Sequence, residues 1–279
     1  MQIIKNRSAL TPAISQLKSN GKTIGFVPTM GALHEGHISL IVRAKADCDV
    51  VVCSIFVNPT QFTDAKDLEK YPRPVEEDIK MLQDAGCDIL YLPDEKDIYP
   101  YGKTITNKFD FGALENMLEG ASRPGHFAGV AQVVKILLEI VQPNILFLGQ
   151  KDYQQYIILK KLVETQRLNI EVKKCPIIRE ENGLAMSSRN SRLSSELRFK
   201  AGIIYATLNY AASLIKILPF AEIETSCFDA MNALDDFEVD YFEILNAENL
   251  SEIKIDTKEI VIVTSVIAGG VRLLDNVVV

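Results

Sequence analysis

Positive charge is in short supply in this sequence. Its 279 residues include 30 lysines and arginines against 37 aspartates and glutamates, so the formal net charge is −7 at pH 7. A nucleic-acid-binding surface needs a stripe of clustered positive charge, and this balance argues against such a partner. Cations that bind phosphate must therefore be concentrated locally against an acidic background.

Cysteine and long apolar runs are also scarce. The five cysteines are scattered, odd in number and without the paired spacing of a zinc finger, which indicates free thiols in a reducing cytosol. The N-terminus has no apolar signal region, and no apolar run is long enough to span a membrane. We therefore expect a cytoplasmic protein without a membrane partner.

The composition is that of an ordinary globular protein, 47% hydrophobic and 24% charged. A chain of this length can bury a substantial core and divide into two unequal domains. Short apolar runs alternate with helical patterns through the first two-thirds, and the pattern changes near Ile178. We expect one domain over residues 1–177 and a second over residues 178–279.

The alternation predicts an α/β fold, a Rossmann-like parallel sheet with helices on both faces. Its strands are expected at 23–27, 50–56, 88–92, 144–148 and 170–174, and its helices near 36–46, 74–85, 127–141 and 152–166. The second domain is expected to have helices at 194–216 and 221–234 and strands at 239–245, 258–267 and 271–278. These patterns indicate a smaller α+β domain with an antiparallel sheet.

Two of only three histidines lie in the segment His34-Glu35-Gly36-His37, where the first of these strands turns into a helix. A helix N-terminus carries unpaired N–H groups and a partial positive charge, so it favours phosphate. Histidines three residues apart project from nearly one side of the first turn. The spacing is one residue too short for the zinc-protease motif. Nucleotide binding is the favoured interpretation, with a metal-binding or purely structural pair as the alternatives.

Further polar blocks follow in a fixed order. They are Asn58–Phe62, Leu118–Gly120 with Arg123–Phe127, Phe147–Gln155, and Gly183–Asn190. Together with the histidine segment, this ordered set resembles the pantothenate synthetase family, ATP-dependent ligases that join pantoate to β-alanine. The resemblance covers nearly the whole chain and ends in the stretch Gly270–Asn276.

The resemblance implies the fold of nucleotidyltransferases of the HIGH type and a reaction in which ATP is a substrate, with Mg²⁺ held mainly by its phosphates. It also implies (R)-pantoate and β-alanine as substrates, a pantoyl-adenylate intermediate, release of AMP and pyrophosphate, and a homodimer. One alternative is a nucleotidyltransferase of the same superfamily that keeps the nucleotide in its product. A non-catalytic nucleotide sensor is another.

The same resemblance assigns residues to roles. The catalytic residues would be His37, His34, Lys151, Ser187 and Arg189, with His37 as the proton donor. ATP would contact Met30, Gly31, Ala32, Leu33, His34, Glu35, Gly36, His37, Gly149, Gln150, Lys151, Asp152, Ile178, Met186, Ser187, Ser188 and Arg189. Pantoate would contact Gln61 and Gln155, and β-alanine would contact Gln61.

Some of these roles have competing interpretations. Lys151 begins a helix, an unfavourable place for a cation, which favours a ligand anion over a solvated lysine. Asp152 could bond the ribose hydroxyls of ATP or cap the helix. Arg123 and His126 lie in a turn that could line the phosphate side of the site or form a mobile wall.

No protein ligand to a metal ion is assigned. Glu77 and Asp78 could hold a hydrated Mg²⁺ indirectly, because carboxylates are ligands that this ion accepts. Carboxylates on a helical segment of this kind more often form a solvated face. We therefore interpret this pair as part of such a face.

Overall fold

The computed structural model describes residues 1–62, 65–104 and 109–279. The chain forms two compact units. The first unit comprises Met1–Gly149 and Ile158–Cys175, and the second comprises Gln150–Ile157 and Pro176–Val279. Each unit has a sheet and a core of its own, so the two are described separately below.

A parallel sheet forms the centre of the first unit. Within the described residues its strands are β1 (Gln2–Ile4), β2 (Ile24–Thr29), β3 (Val50–Ile55), β4 (Ile89–Tyr91), β5 (Ile145–Gly149) and β6 (Glu171–Cys175). They lie in the order β1-β4-β3-β2-β5-β6, and neighbouring strands run parallel. β3 is buried along its whole length, as its valine-rich sequence predicts. The expected Rossmann-like sheet is confirmed.

Helices connect and flank these strands. They are α1 (Arg7–Ser19), α2 (Glu35–Asp47), α3 (Ala65–Lys70), α4 (Val75–Asp84), α5 (Glu95–Ile98), α6 (Leu118–Ser122), α7 (His126–Val141) and α8 (Tyr153–Thr165), of which α8 belongs to this unit only from Ile158 onward. Ile41 of α2 and Leu82 of α4 are fully buried in one cluster with Val51 and Leu90 of the sheet. Among the described helices, none is both long and apolar enough to cross a membrane.

The sequence pattern does not predict β1 and α1. β1 has only three residues, too few to show a periodicity, and it is defined by its parallel pairing with β4. α1 contains an internal proline, Pro12, and is capped by Asn6, whose side chain accepts a hydrogen bond from the Ala9 N–H at 2.9 Å. The predicted strands at the centre of the sheet are all found within two residues of their expected bounds.

The second unit is built on an antiparallel sheet of β7 (Phe237–Asn246), β8 (Ile260–Ala268) and β9 (Val271–Val278), in that order. Its further helices are α9 (Ser195–Lys200), α10 (Ile203–Leu214) and α11 (Phe220–Asn232). Leu208, Ile223 and Val266 are fully buried in one core between these helices and the sheet. The expected α+β arrangement is confirmed.

The prediction of one helix over 194–216 is wrong, because the chain breaks into α9 and α10 at Ala201–Gly202. The side-chain amide of Asn182 donates to the backbone carbonyls of Arg198 (2.8 Å) and Phe199 (3.0 Å). These two carbonyls lie in the last turn of α9. A Cβ on Gly202 would lie 2.3 Å from the Asn182 carbonyl oxygen. The break is therefore caused by a loop that packs against the chain at this glycine.

We expect the variant Gly202→Ala to lose about 1–3 kcal/mol of unfolding free energy, because its methyl group has no room. A continuous helix would predict the opposite sign, since alanine is about 1 kcal/mol more favourable than glycine in a helix interior. Urea unfolding measures the difference. The control Ala206→Gly, exposed on α10, should lose about 1 kcal/mol in either case. A Gly202→Ala variant more stable than the parent would contradict the break.

Candidate active site

The segment that leaves β2 is a tight turn that leads into α2. Gly31 and Ala32 both have positive φ angles, of 80° and 50°. A Cβ on Gly31 would lie 2.9 Å from Oδ2 of Asp78 and 3.0 Å from Cγ2 of Ile55. This position therefore requires glycine both for its backbone conformation and for the close approach of its neighbours.

The two histidines of this segment come together at the start of α2. His34 is the N-cap residue, and its Nδ1 accepts a hydrogen bond from the Gly36 N–H at 3.1 Å. Because Nδ1 must offer a lone pair, Nε2 carries the proton of the neutral ring and acts as its donor. The ring centroids of His34 and His37 are 4.1 Å apart and the rings are tilted by 47°. Glu35 lies in the same first turn.

Asp78 of α4 fixes the turn between β2 and α2. Its carboxylate is buried and accepts hydrogen bonds from the backbone N–H groups of Ala32 (2.9 Å) and Leu33 (2.7 Å). Burial raises the pKa of Asp78, and the two N–H donors oppose that rise. The interpretation of Asp78 as part of a solvated face is wrong, whereas its neighbour Glu77 is exposed. The amides of Ala32 and Leu33 are thus already bonded within the protein.

Gln61 lies in a short 3-10 turn, Pro59–Gln61, that follows β3. Its side-chain Nε2 is 2.9 Å from the sulfur of Met30, and its Oε1 accepts a hydrogen bond from Asn58 Nδ2 at 3.1 Å. Asn58 is itself buried and accepts a hydrogen bond from the Tyr99 hydroxyl at 2.7 Å. The structure therefore brings Gln61 against Met30, although the two belong to segments that follow different strands.

His126 and Arg123 hold the backbone of this turn. His126 is buried, and its Nδ1 lies 2.7 Å from the Gln61 carbonyl oxygen, which can only accept, so Nδ1 carries a proton. Arg123 Nη2 donates to the same oxygen at 3.4 Å. A Cβ on Gly129 of α7 would lie 2.3 Å from the Thr60 carbonyl oxygen, so glycine allows α7 to pack directly on the turn. Both side chains thus support Gln61 through its main chain.

In the second unit, the segment Gln150–Asp152 precedes α8. Lys151 Nζ lies 3.3 Å from Oδ1 of Asp152, which is exposed and stands immediately before the helix. The Asp152 carbonyl accepts a hydrogen bond from the Tyr156 N–H at 3.0 Å, as expected at a helix start. Gln155 is half-buried in the first turn of α8. Gly149, which ends β5, belongs to the first unit.

A polar loop carries the other predicted residues of the second unit. The Met186 N–H donates to the Ile178 carbonyl at 3.0 Å, which closes the base of the loop. Ser187 caps a 3-10 helix, Ser188–Arg192, by accepting a hydrogen bond from the Arg189 N–H at 3.3 Å. Ser187, Ser188 and Arg189 therefore occupy successive positions at the start of this short helix.

The sequence did not predict the structural role of several polar residues around these segments. In the first unit, Asp78 accepts a hydrogen bond from the Ala32 backbone. In the second unit, Arg179 donates to Asp275, and Asn276 donates to the Gln150 carbonyl. Only the position of Asp275 and Asn276, in the stretch that ends the family resemblance, draws attention to them. Over the described ranges, no group of three or more His, Cys, Asp or Glu residues could hold a metal ion.

Replacing Asp78 by alanine is expected to cost about 1–3 kcal/mol of unfolding free energy, because two buried N–H groups lose their acceptor. Urea unfolding at pH 7 measures the loss. Glu77→Ala, exposed on the same helix, is the matched control and should change stability by less than about 0.5 kcal/mol. Equal stability of the two variants would show that the carboxylate does not hold the turn.

Comparison with known proteins gives a consistent result along the whole chain. A family model described as pantoate-β-alanine ligase matches residues 2–278. The chain is 43% identical over 279 residues to a pantothenate synthetase from Porphyromonas gingivalis, covering 99% of both proteins. It is 44% identical over 270 residues to a pantothenate synthetase from Cytophaga hutchinsonii, covering 95% of both.

Solved structures agree with these matches. The chain is similar to the crystal structure of pantothenate synthetase from Thermus thermophilus, with a TM-score of 0.90, 37% identity and 99% coverage of both chains. It is also similar to a pantoate-β-alanine ligase from Francisella tularensis complexed with β-γ ATP and β-alanine, with a TM-score of 0.80, 38% identity and coverage of 99% and 97%. With a family model matching nearly its full length, the chain belongs to the pantoate-β-alanine ligase family, the pantothenate synthetases.

Proposed function

We propose that this protein condenses (R)-pantoate with β-alanine, using ATP and releasing AMP and pyrophosphate. The observation that carries the proposal is the contact between Gln61 and Met30. Gln61 is predicted to bind the acid substrate, and Met30 is the first residue of the predicted ATP-binding segment. A ligase that activates an acid with ATP needs the two substrates side by side, and this contact joins their predicted binding segments.

The chemistry explains why a nucleotide is needed. A carboxylate is a poor acyl donor, because oxide is a poor leaving group. A pantoate carboxylate oxygen attacks the α-phosphorus of ATP, the bond to the pyrophosphate breaks, and a pantoyl-adenylate forms. The β-alanine amine then attacks the acyl carbon, and AMP leaves with that oxygen. The first step gathers negative charge at phosphorus, so it needs preorganised donors and cations.

In the first unit, we assign the donors to His34 and His37. Their adjacent rings at the start of α2 supply donors for phosphate charge, and the Nε2–H of His34 is fixed by the Gly36 bond to Nδ1. The surrounding residues Met30, Gly31, Ala32, Leu33, Glu35 and Gly36 shape the ATP-binding segment, with Gly149 at the end of β5. Because Asp78 engages the Ala32 and Leu33 amides, these two residues contribute shape rather than N–H donors.

In the second unit, we assign the phosphate-binding groups to Lys151, Ser187 and Arg189. An ammonium, a hydroxyl and a guanidinium are donors suited to phosphate oxygens. Gln150, Asp152, Ile178, Met186 and Ser188 complete the proposed ATP contacts. Gln155, on the first turn of α8, is assigned to pantoate, because a neutral amide can bond a carboxylate without competing with the cations that bind ATP.

Mg²⁺ enters this scheme with ATP, as part of the substrate. Mg²⁺ is usually held by substrate phosphates, water and one or two carboxylates, so few protein ligands are needed. The family resemblance supports a cytoplasmic location and a homodimer. Sedimentation analysis would test the oligomeric state directly. The alternative of a nucleotidyltransferase that retains the nucleotide in its product gains no support from the family match.

Isotope labelling tests the reaction. With pantoate carrying ¹⁸O in its carboxylate, we expect AMP that contains label from that group, and AMP release that depends on both pantoate and β-alanine. Mass spectrometry of the AMP measures this. Activation at the γ-phosphate would instead release ADP and put the label in inorganic phosphate. Unlabelled AMP, with pantoate shown not to exchange oxygen with water, would overturn the adenylate route.

A second prediction concerns recognition of the acid. Gln61→Ala is expected to weaken pantoate binding roughly 10- to 100-fold, because a hydrogen bond to a charged group contributes about 1.5–3 kcal/mol. The affinity for ATP should change by less than about threefold, which corresponds to roughly 0.6 kcal/mol of binding free energy. Equilibrium titrations with each ligand measure both effects. Gln16→Ala, exposed on α1, is the control. Equal weakening for both ligands would indicate a purely structural glutamine.

A further inference from the structure

The side chain of Asn276 in β9 binds the segment before α8 through both its amide nitrogen and its amide oxygen. It is 2% exposed. Its Nδ2 donates to the carbonyl oxygens of Gln150 and Lys151, both at 3.0 Å, and its Oδ1 accepts from Gln150 Nε2 at 3.1 Å. All of these residues belong to the second unit. One side-chain amide thus binds the two backbone carbonyls that flank the Cα atom of Lys151.

The strand that carries Asn276 is itself held in place. Asn276 pairs with Val263 of β8, and its N–H donates to Oδ1 of Asp275 at 2.7 Å. Asp275 receives two hydrogen bonds from the Arg179 guanidinium, at 2.6 and 2.9 Å. Burial raises the pKa of Asp275, and the Arg179 guanidinium opposes that rise. The amide of Asn276 therefore projects from a rigid support.

Arg179 extends this support to the polar loop. Its guanidinium stacks on the Tyr205 ring at 3.5 Å from the centroid and donates to the Gly183 carbonyl at 3.0 Å. The backbone of Arg179 forms an antiparallel bridge with Ala185, immediately before Met186. Two successive residues of β9 thus fix two segments of the second unit: Asn276 fixes Gln150–Lys151, and Asp275, through Arg179, fixes the base of the polar loop.

Lys151 is the residue that gains most from such a clamp. A lysine side chain has a flexible four-carbon stem, and the start of a helix is an unfavourable place for its charge. An unrestrained backbone at this point would let the ammonium turn away from the helix start. Fixing the carbonyls on both sides of the Lys151 N–H removes the backbone part of that freedom.

We propose that Asn276 is a positioning residue for the Lys151 ammonium, which it serves by clamping the carbonyls of Gln150 and Lys151 to β9. The inference rests on the proposed function, in which Lys151 binds the phosphates of ATP. Asn276 does not touch the substrate in this scheme. It acts on ATP through the Gln150–Lys151 segment, whose charged group is the Lys151 ammonium, and this sets it apart from a residue that only stabilises the fold.

A double-mutant cycle tests this distinction. We expect Asn276→Ala to lower kcat/KM for ATP roughly 100-fold, the loss typical of a catalytic group displaced by about 1 Å, with little change in KM for pantoate. In the Lys151→Ala background, the same replacement should cost less than about threefold, because the group it positions is absent. Asn276→Leu, which keeps an uncharged side chain of similar shape but has neither donor nor acceptor, replaces Asn276→Ala if that variant does not fold.

The control is Thr264→Val on β8. It removes a buried hydrogen bond from Thr264 Oγ1 to the Tyr241 carbonyl (2.8 Å) in the same sheet and leaves residues 150–151 untouched. Equal losses from the Asn276 replacement in both backgrounds, or an equal loss in Thr264→Val, would overturn the proposal. Absence of AMP release by the parent protein would instead refute the proposed function. ATP titration of the parent, the two single variants and the double variant would still show whether the effect of Asn276 depends on Lys151.

Discussion

Parallel pairing of β2 with both β3 and β5 is the constraint on which the site of the first unit depends. Phe26 of β2 is in register with Val52 of β3 and with Leu146 of β5. Because the three strands run in one direction, the segments that follow them leave the sheet at the same edge. The histidine segment, the Asn58–Gln61 turn and Gly149 all lie at this edge, and the contact between Gln61 and Met30 is a direct consequence.

Buried polar side chains then fix the backbone of these segments. In the first unit, Asp78 accepts from the N–H groups of Ala32 and Leu33, and in the second, Asn276 donates to the carbonyls of Gln150 and Lys151. The type of side chain depends on which backbone groups face it. N–H groups need an acceptor such as a carboxylate, and carbonyl groups need a donor such as an amide. A buried backbone group left unbonded costs about 1–3 kcal/mol, more than the net contribution of a typical hydrogen bond, so these bonds favour the observed conformation of each turn.

This arrangement explains how an acidic protein can bind a polyanion. The net charge of −7 is not reversed over the surface, and no broad basic face is required. In the proposed function, a few donors at defined positions bind the phosphates instead: imidazoles at the start of α2 in the first unit, and an ammonium, hydroxyls and a guanidinium in the second. Preorganised donors of this kind need little reorganisation when charge develops in the transition state.

By itself, the sequence determined the class of fold, the central strands, the histidine segment and the family. These follow from apolar periodicity, which reports how successive residues of one element are buried, and from ordered motifs. Only the tertiary structure decided that Asn182 ends α9, that Asp78 is buried, and that Asn276 clamps Gln150 across 126 residues of sequence. Each of these depends on a hydrogen bond between distant segments. Local periodicity contains no information about such a bond, because its partner is chosen by the packing of the whole unit.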